Sequence, residues 1–189
     1  DKKQKVSAGF SRGQANHADI NIIKSKSAEK YEAIYIPTKE MISTVEHFVT
    51  LYEEYHIDFE EMYYDLAKLL DRPLSKGPNT NEQNQILSSL EDIMKGNIVQ
   101  RDKKFYFKIK GEGEFEMGLL SDGYRKLSMI IYMILSGSLN RNTILFWDEP
   151  ETNMNPKMNR PIVQAMVALA QMGVQLLVST HDYYIQQEF

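Results

Sequence analysis

Thr143-Ile-Leu-Phe-Trp-Asp148-Glu149-Pro150 is the stretch on which the fold turns. Five mostly apolar residues suit a strand buried on both faces. The acidic pair and the proline then end it. A strand of this kind delivers two carboxylates to the C-terminal edge of a sheet, where open α/β folds bind their ligands. In nucleotide hydrolysis, the first carboxylate of such a pair holds the Mg²⁺ shell and the second orients or deprotonates the attacking water. The plain alternative is a strand that ends in solvated acids.

Working outward, the neighbouring sequence alternates helix and strand. Residues 121–137 and 157–172 have helical patterns, and residues 174–178 form a second short apolar strand. Helices alternating with apolar strands predict a mostly parallel sheet covered by helices, hence an α/β fold. Leu120-Ser121-Asp122-Gly123-Tyr124 opens the first of these helices. Ser121 as N-cap leaves backbone N–H groups available, and Gly123 would let a phosphate come close to them. Ser121 simply capping a buried helix is the competing view. Leu176-Leu-Val-Ser-Thr-His181 ends the second strand in a histidine. It could donate to a terminal phosphate, or be an ordinary polar loop residue.

Order and spacing together carry more than any one motif. Ser-x-Gly opening a helix, strand-Asp-Glu-Pro, helix, then strand-Ser-Thr-His resembles the C-terminal half of the ABC ATPase superfamily. Within the SMC-, RecF- and OLD-like group that this order resembles, the form Asp148-Glu149-Pro150-Glu151 with Asn155-Pro156, beside Ser121-Asp122-Gly123, is more similar to RecF-like, OLD-like and bacterial defence ATPases, the Septu type among them, than to transporters. The resemblance covers residues 119–185, with a weaker correspondence at 33–39. It implies a P-loop NTPase-like ABC ATPase lobe with an N-terminal β portion and a helical insertion. It also implies ATP and Mg²⁺ as cofactors, with Asp148 on the Mg²⁺ and Glu149 and His181 as catalytic residues. Ser121 and Gly123 would meet an ATP phosphate bound by a second copy, and Asn155 would lie in the D-loop. The implied partners are a second copy in an ATP-sandwiched homodimer, a nuclease effector subunit or domain, and DNA.

The rest of the chain sets bounds. Residues 1–38 carry short β-like runs at 19–23 and 33–36, residues 39–100 are mostly helical, and residues 101–189 hold the lobe just described. Met41, Val45, Phe48, Val49 and Tyr52 recur at helical spacing, as do Phe59, Met62, Tyr63, Leu66, Leu69 and Leu70. Asp58 is the expected N-cap of that second helix, and a third is expected from about Glu82 to Met94. Ile98-Val99 and Phe105, Phe107 and Ile109 predict a hairpin turning at Asp102-Lys103. Tyr52, Tyr55, Tyr63 and Tyr64 could dock a partner, although packing explains such a stripe equally well.

The 189 residues contain 22 basic and 26 acidic side chains, a formal charge of −4, which gives nucleic-acid binding no electrostatic support. There is no cysteine, which excludes disulfides and thiolate metal sites and fits a reducing cytoplasm. The most apolar run, at 127–139, is interrupted by Ser128, Tyr132 and Ser136, so no membrane span is expected. Gly-x4-Gly-Lys-Ser/Thr, the lysine loop that cradles phosphates, occurs nowhere in the sequence, and Gly9-Phe-Ser-Arg-Gly13 has no Lys-Ser behind it. The expectation is a piece of a longer protein, with that loop before residue 1. Two other readings remain at this stage: a degenerate ABC-like interaction module without hydrolysis, and a metal-dependent nuclease built on Asp148, Glu149, His181 and Asp182.

Overall fold

The computed structural model describes residues 6–9, 19–22 and 30–188. Residues 10–13 of the glycine-flanked N-terminal stretch, and Ile23 of the first expected strand, lie outside these. The chain divides into two units, Asp1–Lys30 and Tyr31–Phe189. In the first, strands β1 (Val6–Gly9) and β2 (Asp19–Ile22) pair antiparallel, with Val6 opposite Ile22 and Gly9 opposite Asp19.

The second unit is built on a parallel sheet in the order β3 (Glu32–Ile36), β7 (Thr143–Asp148), β8 (Gln175–Ser179). Between β3 and β7 in sequence come helices α1 (Val45–Tyr55), α2 (Glu61–Leu70) and α3 (Asn81–Met94), then an antiparallel sheet of β4 (Gly96–Arg101), β5 (Lys104–Ile109) and β6 (Gly113–Glu116), then α4 (Asp122–Leu135). Helix α5 (Asn159–Gln171) joins β7 to β8, and α6 (Tyr183–Glu188) follows β8. This is the α/β arrangement that the alternating helices and strands predict.

Period-two alternation explains the sheet's sidedness. Ile34, Ile36, Leu145 and Trp147 are buried in one core with α4 and α5. Their alternates Tyr35, Phe146 and Leu177 are register neighbours on the opposite face and stand 41%, 40% and 49% exposed. Parallel sheets normally carry helices on both faces. Here one face is uncovered among the described residues. Helix α4 is the centre of the core: every residue from Lys126 to Ile134 is buried, so it is apolar almost all round. Tyr132 reaches from it to the Arg72 carbonyl at 2.7 Å and the Gln100 Oε1 at 2.8 Å, joining α4 to the antiparallel sheet.

Residues 39–100 share that core, through Leu66, Leu70, Leu90 and Met94 among others. The tyrosine stripe is largely packing: Tyr52 and Tyr64 stack at 4.5 Å between α1 and α2, while Tyr55 stays exposed.

Several local expectations need correction. Helix α2 starts after Glu60, not Asp58, because Asp58 and Phe59 are still in the approach to it. The periodicity through Met41 and Val45 is broken by non-helical Glu46 and left-handed His47 (φ 65°), so α1 is regular only beyond them. The hairpin forms with its turn at Asp102-Lys103, and a third strand, β6, joins it. That strand was not legible because Gly113-Glu-Phe-Glu has only one apolar residue. The acidic-edge strand runs one residue further than expected and includes Asp148.

Candidate active site at the C-terminal edge of the parallel sheet

Asp148 is the last residue of β7, and its register partner across the sheet is Ser179, the last of β8. The Ser179 hydroxyl donates to Asp148 Oδ1, and the Tyr35 hydroxyl, from the uncovered face, donates to Oδ2 at 3.2 Å. Burial, and then the Asp148 charge, push the Tyr35 phenol up from its usual range, so it remains a donor. Asp148 is thus a half-buried carboxylate at the sheet edge, with hard oxygen atoms of the type Mg²⁺ prefers.

Glu149 leaves the sheet in a left-handed conformation, φ 39°, which a side-chain-bearing residue adopts at some cost. Its N–H still donates to the Ser179 carbonyl at 2.9 Å, which extends the ladder by one bond. The turn then points its carboxylate toward β8. Oε2 accepts from the Thr152 hydroxyl at 2.9 Å, and Oε1 lies 3.3 Å from His181 Nδ1. The same histidine nitrogen is 3.7 Å from Glu151 Oε1. Asp148, Glu149 and His181 therefore meet at one edge, as the motif order predicts.

Two further groups of this site were given no role from sequence. Glu151 is almost wholly buried, and its Oε1 accepts from the Thr180 hydroxyl at 2.7 Å and from the His181 and Asp182 N–H groups at 3.3 Å each. Its Oε2 is buried without a partner. Lys126, 1% exposed on α4, donates to the Pro150 carbonyl at 2.9 Å and the Thr152 carbonyl at 2.8 Å. Burial pulls its amine below the usual lysine range, against the acids Asp122, Glu151, Glu40 and Glu149, which act the other way. Lys126 follows Arg125 in the polar first turns of α4, so nothing in the sequence marked it out.

Ser121 caps α4 with extended backbone, and its hydroxyl makes no capping bond. Gly123 is buried, and a β-carbon there would stand 2.8 Å from Met158 Cγ. The clearance at Gly123 is thus already used by Met158 of the same chain. Beside it, Arg125 pairs with Glu40 at 3.1 Å and also with Asp122. Asn155 turns its Oδ1 back onto the Lys157 N–H at 3.0 Å, capping the short turn Pro156–Met158 ahead of α5. Asp182 does not join the edge carboxylates. Its Oδ1 accepts from the Tyr184 and Ile185 N–H groups at 2.7 and 3.1 Å and caps α6.

Residues 15–185 match the model of the family described as "AAA domain, putative AbiEii toxin, Type IV TA system". The chain belongs to this family. It is a P-loop ATPase family, and ATP with Mg²⁺ is what AAA ATPases bind. The match takes in every residue of the sheet edge, so the acid pair, Lys126 and His181 all lie within the AAA domain. No match was found among curated proteins. No helix among the described residues of this AAA domain is long and apolar enough to cross a membrane.

Proposed function

We propose that this AAA domain is part of an ABC-type head of the SMC, RecF and OLD-like kind, which hydrolyses ATP between two copies of itself. One observation carries the reading: Asp148 and Glu149 stand at the C-terminal edge of β7, with His181 Nδ1 3.3 Å from the Glu149 carboxylate. In this reading Asp148 holds Mg²⁺, which when bound would screen phosphate charge. Glu149 takes the proton of the attacking water, and the resulting hydroxide displaces ADP from the terminal phosphate. The Thr152 hydroxyl fixes Glu149 Oε2, and Oε1, beside His181 Nδ1, is the oxygen that takes the proton from water. With Nδ1 turned to the carboxylates, Nε2 of His181 is the nitrogen left to meet a phosphate oxygen.

The lysine loop that cradles phosphates does not occur in these 189 residues, so in this reading a segment outside them supplies it. The N–H groups at the start of α4, behind Ser121, serve the nucleotide of the second copy, with Gly123 shaping that start and Asn155 shaping the D-loop. The output is control of a nuclease effector in antiphage defence or DNA metabolism. A nuclease centre on Asp148, Glu149, His181 and Asp182 is disfavoured, because Asp182 is committed to α6.

The test is Glu149→Gln in the full-length protein. ATP binding is retained while turnover falls by at least about 100-fold, and ATP-bound dimers accumulate in mass photometry. Undiminished turnover in this variant removes Glu149 from the chemistry.

A further inference from the structure

We infer that Lys126 is a positioning residue that ties the start of α4 to the turn holding Glu149, so that chemistry at Glu149 depends on a side chain that never touches the nucleotide. The inference rests on the ATPase reading above and adds Lys126 to it.

An ammonium group inside an apolar helix is costly to bury, and an aliphatic side chain of similar size would pack there without that cost. Lys126 is nonetheless buried, and both of its hydrogen bonds go to one short segment, the carbonyls of Pro150 and Thr152. Thr152 passes the restraint on. Its N–H donates to the Glu149 carbonyl at 3.0 Å and its hydroxyl to Glu149 Oε2 at 2.9 Å. All three polar groups of Thr152 are therefore spent on holding Glu149 or on being held by Lys126. Glu149 needs that support, because its left-handed backbone persists only where its surroundings over-determine it.

The other end of the link is as firmly fixed. Arg125, the residue before Lys126, is paired with buried Glu40 and with Asp122 in the first turn of α4. Movement of that first turn, where Ser121 stands, therefore pulls on the Glu149 turn within the same chain. Packed and hydrogen-bonded elements of this kind can carry coupling between two sites, which a measured coupling must show. The link crosses 24 and 26 residues of sequence, between helix and loop.

The experiment compares wild type, Lys126→Met, Thr152→Val, the double variant and Glu149→Gln in the full-length protein. It reads kcat, KM for ATP, and amide hydrogen exchange without nucleotide. Lys126→Met is expected to lower kcat by about 10-fold or more, since a misplacement of about 1 Å is enough for such losses, and to leave KM within about 3-fold. Thr152→Val gives a loss of the same kind, and the double variant is no worse than the stronger single one, as members of one chain of contacts behave. Without nucleotide, the Glu149 and Thr152 amides exchange faster in Lys126→Met, while those of Ile144 to Trp147 stay protected. A folded Lys126→Met with wild-type kcat, or with faster exchange spread evenly over α4 and β7, overturns the inference. If Lys126→Met does not fold, Thr152→Val decides, and an unchanged kcat there overturns it. Failure of the ATPase reading is separately visible as absent wild-type turnover or a fully active Glu149→Gln. In that case the exchange pattern alone supports or overturns the link.

Discussion

Helices α3 and α4 begin alike and are finished differently. Each has a hydroxyl residue at its N-cap in nearly the same backbone conformation, Thr80 at φ −65°, ψ 161° and Ser121 at φ −68°, ψ 156°. Thr80 uses its oxygen: it accepts from the Gln83 N–H at 3.1 Å, and the Gln83 side chain returns to the Thr80 N–H at 2.9 Å, a complete capping box. Ser121 makes no such bond. One helix start is sealed by its own chain, and the other keeps donors available at the positive end of a long buried helix. Local sequence would suit either outcome. On the proposed reading, the difference separates a helix that only has to be stable from one whose start receives an anion, and every prediction below strains that contrast.

The largest effect is expected at Ser121. Ser121→Arg puts a long side chain over the open start of α4 and should cut turnover about 100-fold or more, with ATP binding by the same chain retained. Gly123→Asp is a less clean probe. Its β-carbon would meet Met158 Cγ at 2.8 Å, so the fold should lose about 1–3 kcal/mol, seen as a lower midpoint in urea. Thr80→Ala removes a capping box that is made and should cost about 1 kcal/mol. Ser121→Ala removes a cap that is not made and should cost under about 0.5 kcal/mol by the same measurement. Equal costs for the two alanine variants would mean that Ser121 is sealed in solution, and the comparison would break.

What was legible in the sequence is what local periodicity or a local motif encodes. The apolar run ahead of Asp148 could only be a strand, and the alternating Phe105, Phe107 and Ile109 could only be one arm of a hairpin. Asp148, Glu149 and His181 were readable as neighbours because each stands at or just past the end of a strand, and consecutive parallel strands end at the same edge. The bonds that organise that edge were not readable. Tyr35 reaches Asp148 across 113 residues, and Lys126 reaches the Glu149 turn from a helix whose pattern shows only that it is buried. Gly123 was read for what it could admit, whereas its contact with Met158 depends on where the turn before α5 falls. The break at Glu46 and His47 was invisible because neither residue is a helix breaker by type.

The central claim is that Glu149 of one copy and the α4 start of another build a single site. The most direct measurement mixes Ser121→Arg and Glu149→Gln proteins in equal amounts and follows ATP turnover. In a two-fold dimer both lesions of a mixed pair fall in the same composite site, and the other site is intact. With random pairing about half the dimers are mixed, so the mixture should recover about a quarter of wild-type turnover although each parent is nearly inactive. A mixture that forms mixed dimers, shown by native mass spectrometry, yet stays as inactive as its parents contradicts the account.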